Sequence, residues 1–140
     1  MVVPQNFVQT ISFSVDLCLL VFLWIVQLII YPSFKKICRE DFPSWHKHYK
    51  SSISIIMGPI MIVQIILICS FSIIQLNKIN ILRLILLAIS WIWTLIISVP
   101  YHKKIEANLD RDRTIDLLIN TNWVRTFTWS SIFISNFFGA

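Results

Sequence analysis

Four long apolar runs, residues 7–31, 52–76, 81–99 and 115–138, follow one another with only short polar stretches between them. Each is long enough to carry a helix across a hydrocarbon layer of ~30 Å at a rise of ~1.5 Å per residue. The polar residues inside the runs fall on stripes. In the fourth, Asn122, Arg125, Trp129 and Asn136 recur at i, i+3, i+7 and i+14, on one helix face. In the first, Gln9, Ser12, Asp16 and Gln27 share a face. In the second, Gln64 lies five helical turns after His46, on the face that also carries Tyr49, Ile53 and Ile60; in the third, Trp91, Thr94 and Ser98 line up. Such stripes must face protein, because nothing in hydrocarbon satisfies them. The pattern predicts one domain over residues 1–140, an all-α integral membrane four-helix bundle with a polar column along its axis.

Two charges dominate that column. Counted from Leu117, the Arg125 Cα lies roughly 12 Å deep, where an arginine marks a functional site. The alternative is a snorkelling side chain that only sets helix depth. Asp16, entering from the other side, reaches a similar depth, so an Asp16–Arg125 ion pair is expected; the alternative is a protonated Asp16 bonded to a carbonyl. Arg83, close to the start of its run, is expected to snorkel outward.

Between the runs, Tyr31-Pro32 is expected to close the first span, since proline lacks the N–H that continues a helix. Ser33 then caps a short amphipathic cytoplasmic helix, with Phe34, Ile37 and Cys38 on the membrane and Lys35, Lys36 and Arg39 in water. Pro43-Ser44 restarts a helix that runs into the second span, with a kink expected at Gly58-Pro59. Pro100 is expected to end the third span. Asp110, Asp112 and Asp116 suit a helix start. The segment WIVQLIIYPSFKKI from Trp24 matches WIWTLIISVPYHKKI from Trp91 with one insertion, so the chain also reads as a parallel 2+2 helix repeat, although so small an apolar alphabet yields such matches by chance.

Composition agrees with a membrane protein. Of the 140 residues 56% are hydrophobic and 14% charged, and the mean hydropathy is +0.74. The net charge of +5 does not point to nucleic acid, because the basic residues segregate by loop. Nine (Lys35, Lys36, Arg39, Lys47, Lys50, Lys103, Lys104, Arg111, Arg113) flank the first and last connections, against two (Lys78, Arg83) at the middle one. By the positive-inside rule the two longer loops are cytoplasmic and both termini are outside, which for a bacterial inner membrane means periplasmic. The N-terminal residues lack a basic n-region, so the first run reads as a retained helix rather than a signal peptide. Three dispersed cysteines, Cys18, Cys38 and Cys69, indicate no disulfide framework.

Assembled, the stripes place Asp16, Gln64 and Arg125 near the midplane, Gln27 and Asn122 nearer the cytoplasm, and His46, Tyr49 and His102 at the mouth. The column suits a lipophilic small molecule whose polar end reaches Arg125, with Asn122, Asp16, Gln27, Gln64, Tyr49 and Trp129 as further ligand-binding candidates. His102 and Glu106 stand at i, i+4, a spacing that with His46 makes a weak metal site. No GxSxG, HExxH, P-loop or Rossmann fingerprint occurs, and two glycines exclude glycine-rich phosphate loops.

The signature P-x-H-x-x-I from Pro100 to Ile105, followed by T-N-W-V-R-T from Thr121 to Thr126, resembles a group of small four-span bacterial membrane proteins of uncharacterised function and, more distantly, the anthrone-oxygenase-like membrane family. There the segments read P-x-N-x-x-L and N-x-x-R-T, so Asn122, Arg125 and Thr126 match and His102 replaces an asparagine. Gln64 stands where an acidic residue is common in the closer group. The resemblance implies a cofactor-poor, oxygenase-like activity on an aromatic or quinone-like compound, with Arg125 stabilising an oxyanion and His46 or His102 as general base. Three readings stay open: this enzyme, a non-enzymatic lipid or small-molecule binder or subunit of a membrane complex or oligomer, and a haem or metal carrier. The sequence names no cofactor; its expected partner is membrane lipid.

Overall fold

The computed structural model describes residues 5–138, and every regular element among them is helical. The extreme termini that the charge pattern places outside the membrane lie beyond the described residues. Helix α1 (Gln5–Ile25) passes through a π-helical turn (Val26–Ile30) into a single α turn, α2 (Tyr31–Ser33), and a 3-10 turn (Phe34–Lys36). Residues 37–41 reverse the chain into α3 (Phe42–Ile74). The next reversal is tight: the Asn77 side chain accepts from the Asn80 backbone N–H at 2.8 Å and caps α4 (Lys78–Trp93). A second π-helical turn (Thr94–Ser98) leads into α5 (Val99–Glu106), and α6 (Arg111–Ser135) closes the fold.

Three helices are long and apolar enough to cross a membrane, Phe7–Lys36, Phe42–Ile74 and Lys78–Glu106. Helix α6 is not among them, because Asn120, Asn122, Arg125 and a series of Ser and Thr dilute its apolar residues. It packs against α1, α4 and α5, while α3 packs against α1 and α4, so the long helices follow the cyclic order α1, α3, α4, α6. The polarity is inverted relative to a water-soluble bundle. Ile55, Ile56, Ile66, Ile73, Leu95 and Ile96 are exposed, whereas Asp16, Gln27, His46, Gln64, Asn122 and Arg125 are buried. That arrangement is favourable only where the outer solvent is hydrocarbon. Hydroxyls that do not face a neighbouring helix bond to their own, as Ser54 does to the Lys50 carbonyl and Ser131 to the Phe127 carbonyl.

Neither Pro32 nor Pro100 ends its helix. In both places the residue before the proline donates to the carbonyl five residues back, Tyr31 to Val26 and Val99 to Thr94. The π-helical turn widens the helix where proline would otherwise clash with the preceding turn, so the chain continues. The two turns fall within one residue of each other when Trp24 is aligned on Trp91. The amphipathic helix expected after Ser33 does not form. Ile37 turns extended (φ −83°, ψ 135°), and Phe34 points into the bundle, fully buried among Tyr31, Phe42, Trp45, His46, Tyr49 and His102. Arg111 holds this plug in place by donating to the Phe34 and Ile37 carbonyls at 2.7 and 2.8 Å with its guanidinium over the Phe42 ring. Helix α3 runs through Gly58-Pro59 as one element.

The expected Asp16–Arg125 pair is absent. Asp16 instead pairs with Arg83 at 2.7 Å, and its carboxylate also accepts from Gln64 at 2.7 Å and Asn136 at 2.8 Å. Arg83 donates further to Ser12, and Trp129 donates to the Gln64 amide oxygen at 2.9 Å. Arg83 does not snorkel outward: its stem bends inward because a buried carboxylate on the neighbouring helix offers a stronger partner than interfacial water. Gln9, expected on the inner stripe, is exposed. The Asp16 network joins α1, α3, α4 and residues at the end of α6, which makes it the polar tie of one half of the bundle. Asp16→Leu or Arg83→Leu alone should each cost about 3 to 5 kcal/mol, because the remaining charge is left buried, and the double variant should recover much of the loss. Chemical unfolding in detergent checks this; Arg125 variants, linked to Asp16 only through Trp129 and Gln64, should couple to Asp16→Leu far more weakly than Arg83→Leu does.

Candidate functional site

The second polar system occupies the other half of the bundle, toward residues 37–41 and 107–110. On α6, Asn122 and Arg125 are one helical turn apart, and Arg125 Nη1 donates to Asn122 Oδ1 at 3.1 Å. Asn122 Nδ2 donates to Gln27 Oε1 at 2.8 Å, and Gln27 donates to the Ile119 carbonyl at 3.1 Å. Gln27 lies in the first π-helical turn and is buried. Its amide fixes which way the Asn122 amide is turned, so that the Asn122 oxygen is offered to the guanidinium. Arg125 lies against the Trp129 ring at 5.4 Å. Among the described residues no carboxylate stands within ion-pair distance of Arg125, and its Nε has no hydrogen-bond partner.

Beside Arg125 stands the Tyr31 phenol. From there a row of side chains runs toward the loops. The Tyr31 hydroxyl is 3.1 Å from His102 Nε2, His102 Nδ1 is 2.9 Å from His46 Nε2, and His46 Nδ1 is 3.2 Å from Glu106 Oε1. Lys50 closes the row on Glu106 at 2.7 Å. A carboxylate held by Lys50 only accepts, so His46 Nδ1 carries the hydrogen. With Lys50 at one end and Arg125 at the other, a third positive charge between them is disfavoured. Neutral His46 then accepts at Nε2 from His102 Nδ1–H, and His102 Nε2 accepts from the Tyr31 O–H. Every hydrogen bond in the row points the same way, toward Glu106.

Arg125, Tyr31, Tyr49, Lys50 and His102 line one cavity of about 260 Å³, together with Phe22, Leu23, Val26, Ile53, Thr94 and Ser98. Tyr49 is set by stacking on Trp45, with ring centroids 5.5 Å apart. The second π-helical turn supplies Thr94 and Ser98. Both helical irregularities thus lie at the cavity, the first bringing Gln27 and Tyr31 inward.

The structure divides the residues singled out in the sequence. Arg125, His102 and Tyr49 line the cavity; Asn122 and Gln27 support Arg125; His46 stands fully buried behind His102. Asp16 and Gln64 belong to the Asp16–Arg83 network instead, and Trp129 joins the two systems, bonding Gln64 through Nε1 while its ring faces Arg125. His46, His102 and Glu106 do meet, but the ring nitrogens facing one another bond to each other and to the carboxylate, and no group of three or more His, Cys, Asp or Glu is placed to hold a metal ion among the described residues. Tyr31 and Lys50 were missed. The only sign of Tyr31 was its place before Pro32, where it read as a helix terminator.

These observations define an all-helical protein with three helices of membrane-spanning character and a cation-bearing cavity at one end. No family model, curated protein or solved structure matches the chain.

Burial ranks the members of the row. His102→Phe leaves His46 Nε2 without a donor and the Tyr31 O–H without its acceptor, and should cost about 1 to 3 kcal/mol for each lost partner. Lys50→Ala removes an ion pair whose members are 41% and 26% exposed and should cost under ~1 kcal/mol. Thermal unfolding of the two variants in one detergent checks the order.

Proposed function

We propose that the chain is a small polytopic membrane protein that binds a lipophilic molecule through an anionic or developing anionic oxygen held by Arg125. One observation carries this reading: a buried guanidinium with no carboxylate partner opens onto a largely apolar cavity. Arg111 is also buried without a carboxylate, but two backbone carbonyls occupy its guanidinium, whereas Arg125 faces open cavity space where a ligand oxygen can offset its desolvation. Arginine suits the role because its planar fork holds a protein oxygen and a ligand oxygen together and stays charged when desolvated. The cavity suits a compound with a ring system and one acidic oxygen, which agrees with the aromatic or quinone-like substrate implied by the resemblance to the anthrone-oxygenase-like family. An oxygenase-like reaction is the enzymatic form of the proposal, with Arg125 stabilising the oxyanion and His102, backed by His46, receiving a proton. Binding without chemistry, as a carrier or a subunit beside other chains, is its non-enzymatic form.

All four long helices span the bilayer in this proposal, α6 shielded by its neighbours, with both termini periplasmic and the basic loops cytoplasmic in a bacterial inner membrane. The paired π-helical turns before Pro32 and Pro100 support a duplicated 2+2 origin. The cavity then opens toward the cytoplasm. Two experiments test the proposal. Arg125→Lys should fold and lose any co-purifying small molecule found by mass spectrometry with the wild type; equal retention would make Arg125 structural. In a background with Cys18, Cys38 and Cys69 replaced, an impermeant thiol reagent on intact cells should label Asn77→Cys and spare Asn108→Cys. The opposite pattern would invert the topology.

A further inference from the structure

We infer that the row Tyr31, His102, His46, Glu106 conducts a proton from the cavity to the loop-side surface, so that the cavity admits a lipophilic weak acid, a phenol or an enol, in neutral form and holds it as its anion on Arg125. The inference rests on the cavity reading above and goes beyond it in assigning the ligand class and the path of its proton. Three features carry it. The row joins the cavity to the loop side: Tyr31 and His102 line the cavity, His46 is fully enclosed, and the Glu106 side chain is 26% exposed. Each donor has one acceptor, and all point outward to Glu106. The row is drawn from three elements, α2, α5 and α3, which Phe34 clamps by ring contacts with Tyr31, His46 and His102. Packing alone is served at least as well by apolar side chains, since buried polar rows are costly unless complete.

The step balances without an oxidant. The ligand O–H gives its proton to the Tyr31 oxygen while the Tyr31 proton passes to His102 Nε2. The His102 Nδ1 proton passes to His46 Nε2, and the His46 Nδ1 proton to Glu106. The ligand is left as an oxyanion beside Arg125, both histidines are neutral in the other tautomer, and Glu106 carries one proton, which it yields to water. No electron moves. The charged and titratable groups around the row are Arg125 from α6, Tyr49 and Lys50 from α3, and Lys103 from α5. Arg125 at the cavity end favours leaving the ligand ionised, and Lys50 favours ionised Glu106, so a proton that reaches Glu106 passes on to water.

The test uses the full chain in lipid nanodiscs, with para-nitrophenol as probe because its phenolate absorbs in the visible. Nitrogen-15 NMR of the histidines, without probe, should show His46 and His102 each as a single Nδ1–H tautomer, against the exposed His48 as a solvent-averaged reference. After a rapid pH jump, the bound phenolate band should relax roughly a hundredfold more slowly in Tyr31→Phe and Glu106→Gln than in the wild type, the low end of what positioned acid–base groups contribute. In Glu106→Gln, whose substituted residue lies outside the cavity lining, affinity for the preformed phenolate at alkaline pH should change little. A buried histidine found as Nε2–H overturns the row whatever the probe does. Relaxation of both variants at the wild-type rate overturns conduction and leaves the row as scaffold. If the wild type shows Nδ1–H tautomers yet binds no probe, the cavity reading fails, and proton export from a ligand fails with it.

Discussion

The cost of burying charge in a bundle that hydrocarbon surrounds organises this protein. It is met in two different ways. At one end Asp16 and Arg83 neutralise each other, and Ser12, Gln64 and Asn136 take up remaining hydrogen-bonding capacity. That cluster is neutral in sum and calls for no charge from outside, although Arg83 Nε is left without a hydrogen-bond partner. At the other end Arg125 meets only neutral groups, the Asn122 oxygen, the Tyr31 phenol and the face of Trp129. A neutral acceptor and a ring offset part of the desolvation of a guanidinium but leave its charge uncompensated. Arg111, buried as well and without a carboxylate, is filled by two backbone carbonyls and the Phe42 ring, so of the three buried arginines only Arg125 faces the cavity.

Helix geometry links the site to the scaffold. A π-helical turn rotates the residues that follow it relative to a regular α-helix, and here each such turn precedes a proline and borders the cavity. The first places Gln27 beneath Asn122 and Tyr31 beside Arg125; the second places Thr94 and Ser98 on the wall and His102 within reach of Tyr31. Phe34 and Arg111 close the loop end over this arrangement. The loop that sequence reasoning assigned to the membrane interface is therefore part of the wall behind the histidines.

Much of the inward pattern was legible in the sequence. The stripe of Asn122, Arg125 and Trp129 faces inward, as do Asp16, Gln27, His46, Gln64 and Ser98, because 3.6-residue periodicity survives whatever the tertiary partners are. Partner choice was not legible. Depth counting put Asp16 and Arg125 on one level, whereas α1 and α6 adjoin in a register that sets Asp16 against Asn136 and Gln27 against Asn122, and it treated Arg83 as a boundary residue. Prolines were read as helix ends because local rules penalise them inside helices, whereas a π-helical turn removes the penalty. The i, i+4 spacing of His102 and Glu106 was visible; that both turn to His46, and that Tyr31 completes the row, depends on contacts across more than fifty residues, which no local pattern encodes.

The most direct measurement is a high-resolution structure grown from a lipidic mesophase with native lipid retained. The account predicts continuous density for an organic molecule in the Arg125 cavity, its oxygen within hydrogen-bond reach of the guanidinium and its body against Phe22, Leu23 and Val26. A cavity holding only ordered water, or Arg125 turned to a protein carboxylate, would contradict it.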